Sequence, residues 1–109
     1  MQQRLAVYGT LRPGHPNHHI VSGITGRWFE GQIRGRLLEE GWGAALGSPG
    51  MVLDVAAEPV NVWVLESCEL VDHWTRLDEF EGPGYRRVSA TVRAADGDVA
   101  ASIYVLATE

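Results

Sequence analysis

Short apolar runs of alternating pattern dominate this chain, and a helical period appears over one segment only. Leu5, Val7 and Tyr8 predict a short strand over residues 4–8, closed by Gly9. Trp28, Ile33, Leu37 and Leu38, interrupted by Gly31 and Gly35, predict a long, bent or bulged strand over 26–38. Residues 51–55 read as a short strand after the glycine-rich stretch 41–50. The alternating, β-branched run Val60-Asn61-Val62-Trp63-Val64-Leu65 is the clearest strand of all. Two closing strands, 85–93 and 99–106, flank Ala95-Asp96-Gly97-Asp98, whose Asp-Gly step signals a hairpin. Between them and strand four the pattern predicts one helix, from about Cys68 to Phe80 or Glu81. Ser67 is its expected N-cap, Glu69 and Asp72 lie in its first turns, and Gly82 is a left-handed C-cap before Pro83. About six short strands and one main helix make a single α+β domain over 1–109, its sheet curled into a small mixed β-barrel.

Helical phase singles out one carboxylate. At about 100° per residue, Leu70, Trp74, Leu77 and Glu81 fall within a stripe roughly 60° wide, so Glu81 points where the apolar side chains point. Asp78 lies about 80° off that stripe and Glu79 about 180° off it, at the edge and on the solvent side. Burial raises a carboxyl pKa, and so does a helix C-terminus, which suits a general base working near neutrality. On phase alone two readings of Glu81 stand: a poised base, or a local ion pair with Arg86 or Arg87.

Composition removes several classes of function. A formal charge of −5, with no basic cluster interleaved with aromatics, argues against nucleic acid as a partner. The single cysteine, Cys68, excludes an internal disulfide and any CxxC or zinc pattern. No export signal and no run of about eighteen apolar residues is present, so the expectation is a cytoplasmic protein with no membrane partner. His15, His18 and His19 cluster in the irregular segment 9–19, but no Asp, Glu or Cys adjoins them there, and a polar surface loop accounts for them without a metal. That loop also lacks the GxxxxGK[ST] pattern of a nucleotide-binding P-loop. Trp28, Trp42, Trp63 and Trp74 read as core-filling residues rather than a cofactor site. Oligomeric state is not legible from the sequence.

Two motifs about seventy residues apart belong together: Tyr8-Gly9-Thr10-Leu11-Arg12-Pro13-Gly14, and Leu77-Asp78-Glu79-Phe80-Glu81-Gly82 followed by Tyr85-Arg86-Arg87. With Gly14-His15-Pro16-Asn17-His18 and the closing Ala101-Ser102-Ile103-Tyr104-Val105, they make the chain resemble the gamma-glutamylcyclotransferase-like family, in particular its small gamma-glutamylamine cyclotransferase-like branch. The resemblance implies a small mixed barrel with a pocket at its mouth, a γ-glutamyl small molecule as substrate, 5-oxoproline as product, and no cofactor. It implies that Glu81 is the general acid/base and that Tyr8, Gly9, Thr10 and Leu11 hold the substrate. Glycine in a loop leaving a strand also frees backbone N–H groups that can bind a carboxylate or an oxyanion. Arg12 is a candidate partner for a substrate carboxylate, and Tyr85, like Tyr104, a candidate pocket-lining residue.

The chain departs from that pattern in two places. Val62, Trp63 and Leu65 stand where many relatives carry glycine, glutamate and tyrosine, and Trp42-Gly43-Ala44-Ala45 replaces an aromatic-Pro-Ala segment. Both departures bear on the pocket wall rather than on Glu81 or the first loop. They motivate an alternative reading, a non-catalytic small-metabolite binding module on the same fold.

Overall fold

The computed structural model describes residues 3–38 and 50–107. Its strands are β1 Gln3–Val7, β2 Arg27–Leu38, β3 Gly50–Leu53, β4 Pro59–Ser67, β5 Tyr85–Ala94 and β6 Gly97–Leu106, with one helix, α1 Trp74–Glu81. Five strands close into a barrel in the order β2-β4-β1-β6-β5, and β3 adds to the free half of β2. The β1–β6 pair is parallel and every other pair antiparallel, so the sheet is mixed as expected. Six strands therefore make a barrel of five plus one.

Closure takes only two residue pairs, Gly31 with Ala94 and Gln32 with Arg93. Glycine is required there: a Cβ on Gly31 would overlap Val92 Cγ1 and stand 3.1 Å from the Arg93 carbonyl oxygen. β2 pairs with β4 over residues 27–34 and with β3 over residues 35–38. The β5–β6 hairpin turns at Ala95 and Asp96, and Gly97 carries the positive φ, at 120°.

Period-2 alternation sorts the side chains into two cores. Ala6, Val62, Val64, Val92, Ala101 and Ile103, from four barrel strands, pack inside it together with Ile33 and Met51. Leu5, Val7, Leu65 and Tyr104 face the other way and meet Leu70, Leu77, Leu11, Val21 and Ile24 from the helical segment and the first loop. Trp28, Trp63 and Trp74 pack against this outer core half-buried, while Trp42, with residues 43–45, lies outside the described residues. The substituted positions Val62 and Leu65 are thus core residues.

The helical segment is shorter than expected. A 3₁₀ turn over Leu70–Asp72 precedes α1, which begins only at Trp74. Ser67 is not its N-cap but the last residue of β4; its hydroxyl donates to the Thr25 carbonyl and accepts the Glu69 N–H at 2.9 Å. The serine that resembles a cap therefore organises the strand-to-turn corner, and the chain reaches helical geometry one turn later. At the other end Gly82 has the positive φ of 79°, yet its ψ of −176° is extended, so the chain leaves α1 straight toward β5 instead of through a left-handed cap.

Candidate active site

An eight-residue helix has little stability of its own and must be held by what it packs against. Leu77 is fully buried, and Trp74 packs half-buried while donating its indole N–H to Gln3 Oε1 on β1. Four residues after Leu77 on the same face comes Glu81, only 9% exposed. Asp78 and Glu79 are exposed, as the phase predicts. Burial pushes the Glu81 carboxyl up to about 7. Arg87, one of the two arginines considered as its partner, pairs with Asp78 at 2.9 Å.

Opposite this helix end, β1 runs into the loop after Tyr8. The Tyr8 hydroxyl donates to the Tyr104 carbonyl at 2.8 Å and accepts the Met51 N–H at 3.0 Å. Burial raises the Tyr8 phenol above its usual range, with smaller contributions from Tyr85 and Glu81. Glu81 likewise contributes to the upward shift of Tyr104, behind burial and the Asp78 hydrogen bond. Tyr8, Tyr85, Tyr104 and Glu81 therefore share one electrostatic neighbourhood, brought together from the residue after β1 and from β5, β6 and α1.

The loop itself is self-bonded through its carbonyls. The Gly9 carbonyl accepts Arg12 Nε at 2.8 Å and the Arg12 N–H at 3.2 Å. The Thr10 carbonyl accepts the Asn17 N–H at 2.9 Å, and the Asn17 amide donates to Thr10 Oγ1 at 2.9 Å. His18 Nδ1 meets the Leu11 carbonyl at 2.8 Å, and that nitrogen must carry the proton because a carbonyl only accepts. All three carbonyls are consumed inside the loop, whereas the N–H groups of Gly9, Thr10 and Leu11 donate to none of the described residues. Thr10 and Leu11 are buried, which ties the loop to the barrel.

The sequence matches the family described as gamma-glutamyl cyclotransferase, AIG2-like, over residues 5–109. The chain belongs to that family. Among solved structures, YkqA from Bacillus subtilis is 31% identical with a TM-score of 0.74; the match covers 97% of this chain but only 36% of YkqA, so this chain spans about a third of that protein. An uncharacterized protein from Pyrococcus horikoshii is 28% identical with a TM-score of 0.66, covering 98% of this chain and 80% of its own. An AIG2-like protein from Mus musculus, 24% identical with a TM-score of 0.73 over 99% of this chain and 79% of its own, shares the fold. No curated protein matches the chain in sequence.

Within this cyclotransferase-family fold, the structure brings Tyr8, Tyr85 and Glu81 to one end of the barrel and sets Gly9 to Leu11 directly after Tyr8. Arg12 is engaged locally, by Gly9 and by a 3.4 Å contact of Nη2 with His15 Nδ1. His18 stacks at a tilt on Trp28, ring centres 5.3 Å apart, and His19 Nδ1 contacts the Pro16 carbonyl at 3.2 Å. Among the described residues no three His, Cys, Asp or Glu side chains converge as metal ligands. No helix among the described residues is long and apolar enough to cross a membrane. Sequence reasoning missed the network at Asp78: its carboxylate accepts Arg87 Nε at 2.9 Å, Arg87 Nη2 at 3.2 Å and the Tyr104 hydroxyl at 2.6 Å. The one available signal was the position of Asp78 at the edge of the apolar stripe, nine residues before an arginine.

Proposed function

We propose that the protein is a gamma-glutamyl cyclotransferase that releases 5-oxoproline from a γ-glutamyl amine or amino acid, with Glu81 as general acid/base. The observation that carries this reading is a carboxyl buried at the barrel end and pushed up to about 7, in a chain of this family. At neutral pH such a group exists in both protonation states, the condition for taking a proton and returning it.

The reaction is an intramolecular aminolysis. The substrate's α-amine attacks its γ-carbonyl carbon, forming the ring C–N bond and a tetrahedral oxyanion. Ionised Glu81 accepts the proton shed by the attacking nitrogen. The protonated carboxyl then delivers it to the leaving nitrogen as the old C–N bond breaks, so the carboxyl ends as it began. Tyr8, Gly9, Thr10 and Leu11 hold the substrate, the N–H groups of the last three supplying donors for an anionic oxygen. Tyr85 lines the same end of the barrel. Because ring closure is unimolecular, holding the chain folded supplies much of the acceleration. Arg12 acts through the loop, by bracing the Gly9 carbonyl.

Incubation with a panel of γ-glutamyl amines and amino acids, reading 5-oxoproline, tests the proposal. Glu81→Gln is expected to lower kcat by about 10²–10⁴-fold. Turnover that survives this substitution would remove Glu81 from the chemistry. An acyclic acid product would make the protein an amide hydrolase. A metabolite that raises the melting temperature without turnover would favour the non-catalytic module.

A further inference from the structure

Besides the Trp74 and Leu77 contacts, the helix that carries Glu81 is fastened to the barrel at Asp78. Asp78 precedes Glu81 by three positions, and its carbonyl accepts the Gly82 N–H that ends the helix, at 3.0 Å. Its carboxylate takes the Arg87 fork and the Tyr104 hydroxyl. Arg87 also lies over the Trp74 ring, 4.5 Å from its centre, and so grips α1 at two points one turn apart. Arg87 and Tyr104 are themselves direct partners across the β5–β6 ladder. The Tyr104 carbonyl, in turn, is the acceptor for the Tyr8 hydroxyl. One strand residue therefore holds the helix with its side chain and the tyrosine before the loop with its backbone.

The geometry points to Asp78, Arg87 and Tyr104 as positioning residues that set the Glu81 carboxyl against the Tyr8–Leu11 loop. This rests on the cyclotransferase reading for its kinetic consequence but not for its geometric one. A proton shuttle must lie within roughly 2.6–3.2 Å of the nitrogens it serves, and an error of about 1 Å costs on the order of 10²-fold. The bland alternative is a surface ion pair that merely adds stability. Arg87 and Asp78 side chains are 33% and 45% exposed, so solvent screens that contribution heavily. The two roles then differ in what they predict: a stabilising pair moves the melting temperature, whereas a positioning network moves kcat and the environment of Glu81 with little change in folding.

Three substitutions probe it from different sides. Tyr104→Phe deletes one hydroxyl and leaves the carbonyl that holds Tyr8; Asp78→Asn removes the charge; Arg87→Lys keeps the charge and loses the fork. For Tyr104→Phe and Arg87→Lys we expect kcat to fall about 10–100-fold, with KM and the melting temperature little changed. The titration midpoint of the Glu81 side-chain carbon, followed by ¹³C NMR without substrate, is expected to drop toward the ordinary carboxyl range as the last turn admits water. If folded variants keep both the wild-type kcat and the wild-type midpoint, the network does not position Glu81. A wild-type protein with no γ-glutamyl turnover, but whose Glu81 midpoint falls in Tyr104→Phe, supports the positioning role and retires the reaction instead.

Discussion

Asp78 and Glu81 lie three residues apart on α1 and are shifted in opposite directions. Hydrogen bonds from Arg87, together with the Tyr104 hydroxyl, hold Asp78 below the usual carboxylate range against a smaller effect of burial. Burial pushes Glu81 up to about 7. Divergent environments for neighbouring carboxyls separate a group that stays charged from one that exchanges a proton near neutrality. In this helix the first anchors, and the second is the proposed proton carrier.

The pH dependence of kcat/KM should carry that signature. Below about pH 7 Glu81 is protonated and cannot accept the amine proton, so the rate is expected to climb about tenfold per pH unit and level off above 7. A limb centred in the ordinary carboxyl range, near 4.5, would show that Glu81 is not the group titrating.

The role proposed for Glu81 and the stability of the fold oppose each other. Its folded-state pKa, about 7, lies above the ordinary 4.5, so the native state binds the proton more tightly and stability falls as pH rises between those values. The charge then costs up to about 3 kcal/mol at alkaline pH. Glu81→Gln should therefore gain stability relative to wild type between about pH 4 and pH 8, by an amount approaching that figure. Urea denaturation at the two pH values measures it; an equal difference at both would mean that the native carboxyl is not destabilised by burial.

Arg12 braces the loop from inside through the Gly9 carbonyl. Arg12→Ala should raise KM several-fold while kcat changes by less than about threefold, because loop order is lost and the base is untouched. Substrate-panel kinetics decide it, and a loss confined to kcat would give Arg12 a place in the chemical step.

Gly31 is one of the two β2 residues that close the barrel against β5. Gly31→Ala should destabilise the fold by about 1–3 kcal/mol, since the fully buried Val92 has no room to yield to the new methyl group. Thermal melts measure the loss. A neutral outcome would mean that the two-pair β2–β5 contact adjusts freely.

Much of this architecture was legible in local pattern. All six strands fall close to the positions that alternation and turn residues predict, and the Asp-Gly step lies at the β5–β6 hairpin, where Gly97 has a positive φ. Glu81 faces inward as phase requires, although regular helix spans only Trp74 to Glu81 and Leu70 is buried by a 3₁₀ turn instead. Ser67 misled because its hydroxyl answers to Thr25, forty-two residues away. A cap and a corner bond use the same atom, and only the neighbour decides between them.

By itself, then, the sequence determined the types of element, the two-faced strands, the inward carboxylate and the glycine-led loop after Tyr8, because each follows from periodicity or from the conformations a residue allows over a few positions. Tertiary structure alone decided which strands close the barrel, that Asp78 reaches Tyr104 from twenty-six residues away, and that Tyr8 reaches the Tyr104 carbonyl from ninety-six. Those contacts depend on register between distant strands, which packing of two cores selects over the whole chain and no local window contains.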